Sequence, residues 1–577
     1  MSESFSSSGK AWRLAAALAF ATLSLAGPDA AADDTAQGSG GMVVSAQHEA
    51  SAAGLKILEA GGNAVDAAVA VGYALAVVDP CCGNIGGGGF MLIHMAGAVG
   101  QEGDDSFVNF RETAPQAATP TMYLDAAGNP IREQSRDGYR AVGVPGTVRG
   151  LDRAVTHYGT LSRDAVMAPA ITLARNGFVL GAPNAAIIAH DAKRVAADPE
   201  AARIFLHPDG MPYKAGERLT QPDLATTLER ISGEGPGAFY YGAIPAAVAR
   251  ASAAHGGIIS ETDFADYTAT ELTPLSCDYR GYHIVSAPPP SSGGTTLCEI
   301  LDIVSGWDIG AAGYQSPRAV HLTVEAMRRA FFDRNSVLGD PDFVTNPLDH
   351  LLSANYAASV RAGIEPDKAI PSITLGSVTA PGEKPQTTHY SVVDGKGNAV
   401  AVTYTLNGGF GAGIVAPGTG FVLNNEMDDF AAKPGAANQF GLVQGEANAI
   451  QPKKRPLSSM TPTIVEKDGK PVFVLGSPGG PRIITAVLET LMNLVDFGMK
   501  PGDAVAAPRF HQQYLPDTVF YEKNALPPAT LSALSAMGYS LAEQAPWGAV
   551  ELIAIGPDGA LKGVNDPRRP AGAALGY

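Results

Sequence analysis

Thr387 and Thr405 are the residues of this 577-residue chain whose types and spacing point most directly to chemistry. Thr387 opens a run to Val393 that reads as a β-strand, and Ala399 to Asn407 reads as a second. Between them Asp394-Gly395-Lys396-Gly397-Asn398 is rich in residues that tolerate positive φ, as a hairpin turn requires. An odd-length loop centred on Lys396 pairs Val393 with Ala399, and the same register sets Thr405 opposite Thr387. Opposed side chains have Cβ atoms roughly 4.5–5.5 Å apart. Period-two alternation places Thr403, Thr405 and Asn407 on one face. A slip of one residue turns one set of side chains away. Two hydroxyls and an amide around one point make the beginning of a nucleophile site, because a hydroxyl attacks poorly until it is oriented and deprotonated. The plainer alternative is a Thr–Thr contact on a half-exposed hairpin.

The flanking sequence separates these readings. Gln386-Thr387-Thr388-His389-Tyr390-Ser391-Val392-Val393-Asp394, Thr403-Tyr404-Thr405-Leu406-Asn407 and Asn424-Asn425-Glu426-Met427-Asp428-Asp429-Phe430 are three of the informative motifs. Arg455-Pro456-Leu457-Ser458-Ser459-Met460-Thr461-Pro462-Thr463 and Gly476-Ser477-Pro478-Gly479-Gly480 are two more. Together they strongly resemble the gamma-glutamyltransferase (glutathione hydrolase) family of N-terminal-nucleophile hydrolases, over about Val43 to Tyr577. The resemblance implies an α+β fold, a four-layer αββα sandwich self-cleaved into two intertwined subunits. It implies scission between Gln386 and Thr387, giving a large subunit of residues 33–386 and a small catalytic one of residues 387–577. Thr387 is then the nucleophile, with Thr405 orienting its hydroxyl and Asn407 facing the substrate's α-substituents or the nucleophile's surroundings. Arg111, in Arg111-Glu112-Thr113-Ala114-Pro115, grips the α-carboxylate with Ser458 and Ser459. Glu426 and Asp429 meet the α-ammonium, and Gly479 and Gly480 supply oxyanion-hole N–H groups. Pro434 to Gly445 corresponds to a lid loop, with Phe440 where lidded members carry a tyrosine. A phenyl ring covers a pocket but cannot hydrogen-bond Asn407.

The chemistry behind these roles is general. A freed α-amine titrates near 7.7–8.0, so a terminal threonine carries its own base beside its hydroxyl. A cation with hydroxyls for a carboxylate, and acids for an ammonium, is what recognition of a free amino-acid end demands. His389 lies beside the nucleophile, and a structural hydrogen-bonding role suits it better than that of base.

The elements that must hold these groups can be read in outline. After a small polar segment, Asp33 to Gly41, a strand over Met42 to Ala46 leads to a helix from His48 to Ala60, which stops at Gly61-Gly62. Asn63 caps a second helix, Ala64 to Val78, with Asp66 in a capping-box position, and its apolar composition implies burial. The glycines of Gly83-Asn84-Ile85-Gly86-Gly87-Gly88-Gly89 lack the Lys-Ser/Thr of a phosphate loop, so close backbone packing before a strand at Phe90 to Ile93 is expected. Gly411 to Ala416 follows a hairpin rather than opening a βαβ unit, which removes a dinucleotide reading. Tyr158 to Arg250 reads as helical, with further helices over Thr295 to Val304, Val320 to Phe332 and Ile483 to Val495. The turn Ser286 to Gly294 is placed to form a wall of the site. Glu365 to Pro385 reads as a flexible tether ahead of the bond to be cut.

Composition bounds the rest. A net charge of −17 argues against a nucleic-acid or anionic-membrane binder. Cys81, Cys82, Cys277 and Cys298 are too few for a disulfide framework and read as buried thiols, adjacent Cys81-Cys82 being able to form only a strained vicinal bridge. No metal-ligand spacing stands out, and no metal or cofactor is expected. Lys10, Arg13 and an apolar core from Leu14 to Ala26 read as a secretory signal over residues 1–32. That predicts export, to the periplasm if the cell is Gram-negative and otherwise outside it, with no stable membrane anchor after signal removal. The expected partners are glutathione and other γ-glutamyl compounds, amino-acid or dipeptide acceptors, and the chain's own two fragments. The rival readings are a cephalosporin (glutaryl) acylase of the same superfamily and a non-catalytic periplasmic binding protein.

Overall fold

The computed structural model describes residues 35–97, 103–375 and 387–577. The expected signal, Asp33, Gln386 and the later part of the tether fall outside those residues.

Two antiparallel seven-stranded sheets form the centre. The first runs, in spatial order, Ala573–Gly576, Gly41–Ser45, Thr388–Asp394, Ala399–Thr405, Gly88–Met95, Asp104–Asn109 and Thr270–Leu272. The second runs Thr35–Gly38, Leu561–Val564, Leu552–Ile555, Lys470–Leu475, Thr463–Lys467, Tyr282–Ser286 and Leu275–Tyr279. Strand alternation divides the side chains between three cores. Met42, Val44, Phe90 and Leu92 point between the sheets and meet Val285, Ile464, Val474 and Ile553. Their neighbours Val43, Met91 and Ile93 point outward, into a cluster with the helices Ala64–Val78, Thr147–Tyr158 and Arg163–Asn176. On the far side Ile284, Val465 and Leu475 pack against Gly293–Val304, Pro317–Val337 and Arg482–Val495. The order helix, sheet, sheet, helix is the expected four-layer α+β sandwich. Covering both faces of both sheets explains why the strands Thr388–Asp394 and Ala399–Thr405 are buried along their whole length.

Local signals account for several elements. Asn63 closes a full capping box with Asp66, whose carboxylate accepts the Asn63 N–H at 2.8 Å, and every residue of Ala64–Val78 is buried. Among the described residues no helix is long and apolar enough to cross a membrane. Gly87 packs so closely that a Cβ there would lie 2.1 Å from the Thr405 carbonyl oxygen. The glycine run is therefore a close-packing device beside the hairpin, as expected.

Three expectations need correction. No described cysteine is free: Cys81 bonds Cys82 and Cys277 bonds Cys298. Cys277 lies on a strand and Cys298 on the helix covering it, with Cα atoms 5.9 Å apart. Counting cysteines could not foresee that approach, which is within bonding range. Cys81 and Cys82 sit in a tight turn in which the Cys82 and Gly83 N–H groups both donate to the Asp79 carbonyl. The polar stretch before Gly41 contains a strand, Thr35–Gly38, paired with Leu561–Val564. The helix expected to end at Phe332 runs from Pro317 to Val337, and the added turn carries a residue of the site.

Candidate active site

Thr387 immediately precedes the Thr388–Asp394 strand at the centre of the first sheet. The hairpin pairs Thr388 with Tyr404 and Val393 with Ala399, the register read from its odd-length loop. The hydroxyls of Thr387 and Thr405 lie 3.2 Å apart, and both residues are buried. The hairpin is thus in the core and not half-exposed. Beyond Thr405 the strand ends. Asn407 takes φ +77°, and its backbone N–H donates to Thr405 Oγ1 at 2.8 Å. Its side-chain amide donates to the Asn425 carbonyl at 3.1 Å, tying the hairpin to the acidic stretch. Thr403 shares the Thr405 face but its hydroxyl meets His389 Nδ1 at 2.8 Å, away from the pocket. His389 Nε2 meets Ser391 Oγ at 3.2 Å. Burial pushes the His389 imidazole down to about 3, so it is neutral at ordinary pH and braces the two strands.

The pocket is lined by Thr387, Thr405 and Asn407 on one wall. Facing them are Arg111, Glu426, Asp429, Ser458, Ser459 and Gly480. All the residues singled out from the sequence as site residues line this pocket except Gly479, which lines the adjacent cleft beside its neighbour Gly480. Gly479 and Gly480 have φ +141° and +57°, a conformation that side chains resist. They lead into the Arg482–Val495 helix, whose positive end therefore faces this region.

The wall that carries Arg111 is charged. Arg111 is fully buried. Its guanidinium donates to Glu426 Oε1 and, at 2.5 Å, to Asp429 Oδ2, while its Nε donates to the Pro456 carbonyl at 3.2 Å. Glu112 Oε2 stands 3.5 Å from Arg111 Nη1. Burial opposes charge on Arg111, but the surrounding carboxylates outweigh it and hold the group above its ordinary pKa. Glu112 is pushed up to about 7 by burial, with Arg111 opposing. Glu426 and Asp429 share one short 3₁₀ turn, Glu426–Asp429, which aims both carboxylates at Arg111.

The serine stretch is fastened to the Ser286–Gly294 turn. Ser458 N–H donates to the Pro290 carbonyl at 2.9 Å, and Ser292 N–H donates to the Ser458 carbonyl at 2.8 Å. Ser458 Oγ accepts the Met460 N–H at 3.1 Å. Ser459 Oγ accepts from Nη2 of Arg334 at 2.9 Å. Arg334 was missed in the sequence because Asp333-Arg334-Asn335 reads as a polar helix end. The real stop signal is the later Gly339-Asp340-Pro341.

Phe440 roofs the pocket. It lines both this space and the neighbouring cleft of about 1550 Å³. Its carbonyl accepts from Gln513 Nε2 at 3.1 Å, and Asn438 Oδ1 accepts the N–H groups of Phe440 and Leu442 at 3.0 and 3.1 Å. Asn407 makes no bond to this residue, its amide being given to Asn425.

Away from the pocket, His94 Nδ1 lies 2.8 Å from Asp105 Oδ1 and 2.9 Å from Glu466 Oε1. Burial opposes its charge, but the two acids push it up to about 9. The imidazolium is itself the cation that this cluster holds.

The family model described as Gamma-glutamyltranspeptidase matches residues 50–576. A glutathione hydrolase proenzyme of Pseudomonas sp. (strain A14) is 52% identical over 547 residues, 93% of this chain and 94% of that protein. A glutathione hydrolase proenzyme of Escherichia coli (strain K12) is 48% identical, over 93% of this chain and 92% of its own. The crystal structure of a cephalosporin acylase from Bacillus halodurans superposes with a TM-score of 0.83 at 28% identity, covering 97% of this chain and 99% of that one.

Proposed function

The chain belongs to the gamma-glutamyltranspeptidase family, and from that premise we propose how its own residues carry out the reaction. The protein is an enzyme that removes the γ-glutamyl group from glutathione and related γ-glutamyl compounds and passes it to water or to an amino-acid or peptide acceptor. One observation carries the reading: the Thr387 and Thr405 hydroxyls meet at 3.2 Å in a pocket whose other wall holds Arg111, Glu426, Asp429, Ser458 and Ser459.

The precursor cuts itself between Gln386 and Thr387. Thr387 Oγ attacks the Gln386 carbonyl carbon, the peptide C–N bond breaks as the nitrogen takes the hydroxyl proton, and water opens the resulting ester. The products are residues 33–386 and 387–577, paired as a heterodimer. In turnover the freed Thr387 amine accepts the proton of its own hydroxyl, as a general base with a pKa near neutrality. The oxygen attacks the γ-carbonyl, and N–H groups of Gly479 and Gly480 receive the developing oxyanion. The amide nitrogen leaves with the transferred proton, and the γ-glutamyl-Thr387 ester is resolved by water or an amine. Thr405 orients the nucleophile. Arg111 with Ser458 and Ser459 receives the α-carboxylate, and Glu426, Asp429 and Asn407 receive the α-ammonium side. The leader over residues 1–32 directs export, to the periplasm in a Gram-negative cell.

The acylase reading rests on the likeness to the Bacillus halodurans structure. Glu426 and Asp429, side by side in the pocket, favour a substrate with an α-ammonium, which a glutaryl chain lacks. The test is a denaturing gel of the wild type and Thr387→Ala, with rates on γ-glutamyl-p-nitroanilide and glutaryl-cephalosporanic acid. Two bands and a preference for the γ-glutamyl substrate are expected, with one inert full-length band for Thr387→Ala. A wild type that stays in one piece, or prefers the glutaryl substrate, overturns the reading.

A further inference from the structure

The pocket holds two buried arginines in opposite electrostatic circumstances. Arg111 is surrounded by carboxylates of Glu426, Asp429 and Glu112. Arg334, 1% exposed, forms no ion pair with any carboxylate among the described residues. Its hydrogen bonds go to neutral oxygens: Nε to Ser292 Oγ at 2.9 Å, Nη1 to Asn335 Oδ1 at 2.8 Å and Gln444 Oε1 at 3.4 Å, and Nη2 to Ser459 Oγ at 2.9 Å. A guanidinium has five N–H donors, so one proton on Nη2 remains beyond these four bonds, at the nitrogen bound to Ser459. A buried cation with no carboxylate in direct contact, attracted only by the more distant Asp429, is expensive to keep. A purely structural clamp between these loops could be built from neutral amides. What a guanidinium adds is a charge and a planar fork suited to a carboxylate.

We propose that Arg334 is a second carboxylate-binding cation of the pocket, receiving the α-carboxylate of the γ-glutamyl substrate together with Ser459. This rests on the proposed function. It assigns to the large subunit's Pro317–Val337 helix a direct part in specificity. It also divides labour between the arginines. Arg111 is largely neutralised by the acids that meet the ammonium, so Arg334 supplies the positive charge that remains for the carboxylate. The inference predicts discrimination between γ-glutamyl compounds and analogues that keep the amine but lack the α-carboxylate.

The test compares wild type, Arg334→Met and Arg334→Lys on γ-glutamyl-p-nitroanilide and on 4-aminobutanoyl-p-nitroanilide, which has the amine and no α-carboxylate. Loss of a charged hydrogen-bonding partner should lower kcat/KM of Arg334→Met on the γ-glutamyl substrate roughly 10- to 150-fold, mostly through KM. The 4-aminobutanoyl substrate should be little affected, and Arg334→Lys should recover part of the loss. Equal losses on both substrates, or a loss confined to kcat, would overturn the inference and leave Arg334 as a clamp. Should either variant fail to yield the Thr387 fragment on a gel, the decision passes to a crystal structure of the wild type with L-glutamate. An Arg334 nitrogen hydrogen-bonded to the α-carboxylate supports the inference, and a carboxylate out of its reach refutes it. Failure of the functional reading looks different, because the wild type itself would then be inert on γ-glutamyl-p-nitroanilide.

Discussion

The two walls of the pocket are built on different physical principles. The nucleophile wall belongs to a regular hairpin at the centre of a sheet, and its side chains meet neutral partners: Thr387 with Thr405, and His389 with Thr403 and Ser391. The recognition wall comes from irregular segments around 111, 426–429 and 458–459, held by ionic contacts and by fastenings to other loops. Backbone ladders fix the first wall, so its geometry survives the loss of any one side chain. Charge balance fixes the second, so removing one partner leaves the others buried and uncompensated. The proposed reaction, which must place one oxygen accurately yet bind a zwitterion in a dry site, has reason to use both.

That contrast can be strained most severely at Arg111. Arg111→Met leaves Glu426 and Asp429 without their cation, and breaking a buried pair in this way destabilises by about 3–5 kcal/mol. A large drop in Tm is expected with kcat/KM lost. An unchanged Tm would mean that the recognition wall does not depend on charge balance.

A smaller effect is expected on the nucleophile wall, and it should appear as a pH dependence. His389 is held neutral down to about 3, whereas an unfolded histidine takes up its proton near 6.5. Below pH 6.5 the unfolded state gains a proton that the native state refuses, so stability falls with pH by about 1.4 kcal/mol per unit from this residue. His389→Gln removes that contribution. Calorimetric Tm should therefore fall less steeply from pH 6.5 to 4.5 in the variant than in the wild type, and parallel slopes would contradict the assignment.

The mildest probe lies where the walls are bridged by the roof. Phe440→Tyr adds a hydroxyl within the proposed lid loop, and a single new hydrogen bond to Asn407 is worth roughly two- to fivefold in KM or acceptor preference. Kinetics identical to those of the wild type would show that the lid is governed by its backbone ties to Asn438 and Gln513 alone.

The same contrast explains what could be read from the sequence. The position of Thr405 opposite Thr387 follows from a turn and a period of two, both local, and the structure has that register. The strands around Val44 and Leu92, the capping box at Asn63 and the packing role of the glycine run were legible for the same reason. The convergence of Arg111, Glu426, Asp429, Ser458 and Ser459 depends on loops far apart in the chain, and only resemblance to a family brought them together. Arg334 was hidden by its polar neighbours at a helix end. The disulfides escaped because a bond between Cys277 and Cys298 depends on a strand and a helix meeting in space. Asn407 fell on the expected face, although the strand ends before it and the backbone reaches the pocket through a positive φ.

The strand order of the first sheet carries a consequence for the cut protein. From its edge, Ala573–Gly576 lies beside Gly41–Ser45, followed by Thr388–Asp394 and Ala399–Thr405 and then Gly88–Met95. Segments from before and after residue 387 are dovetailed, each borrowing its neighbours' ladder hydrogen bonds. Dilution, which separates ordinary complexes by mass action, has little leverage on such a pair. Either piece can leave only by unzipping the middle of a sheet, so separation requires unfolding and the two should melt in a single transition.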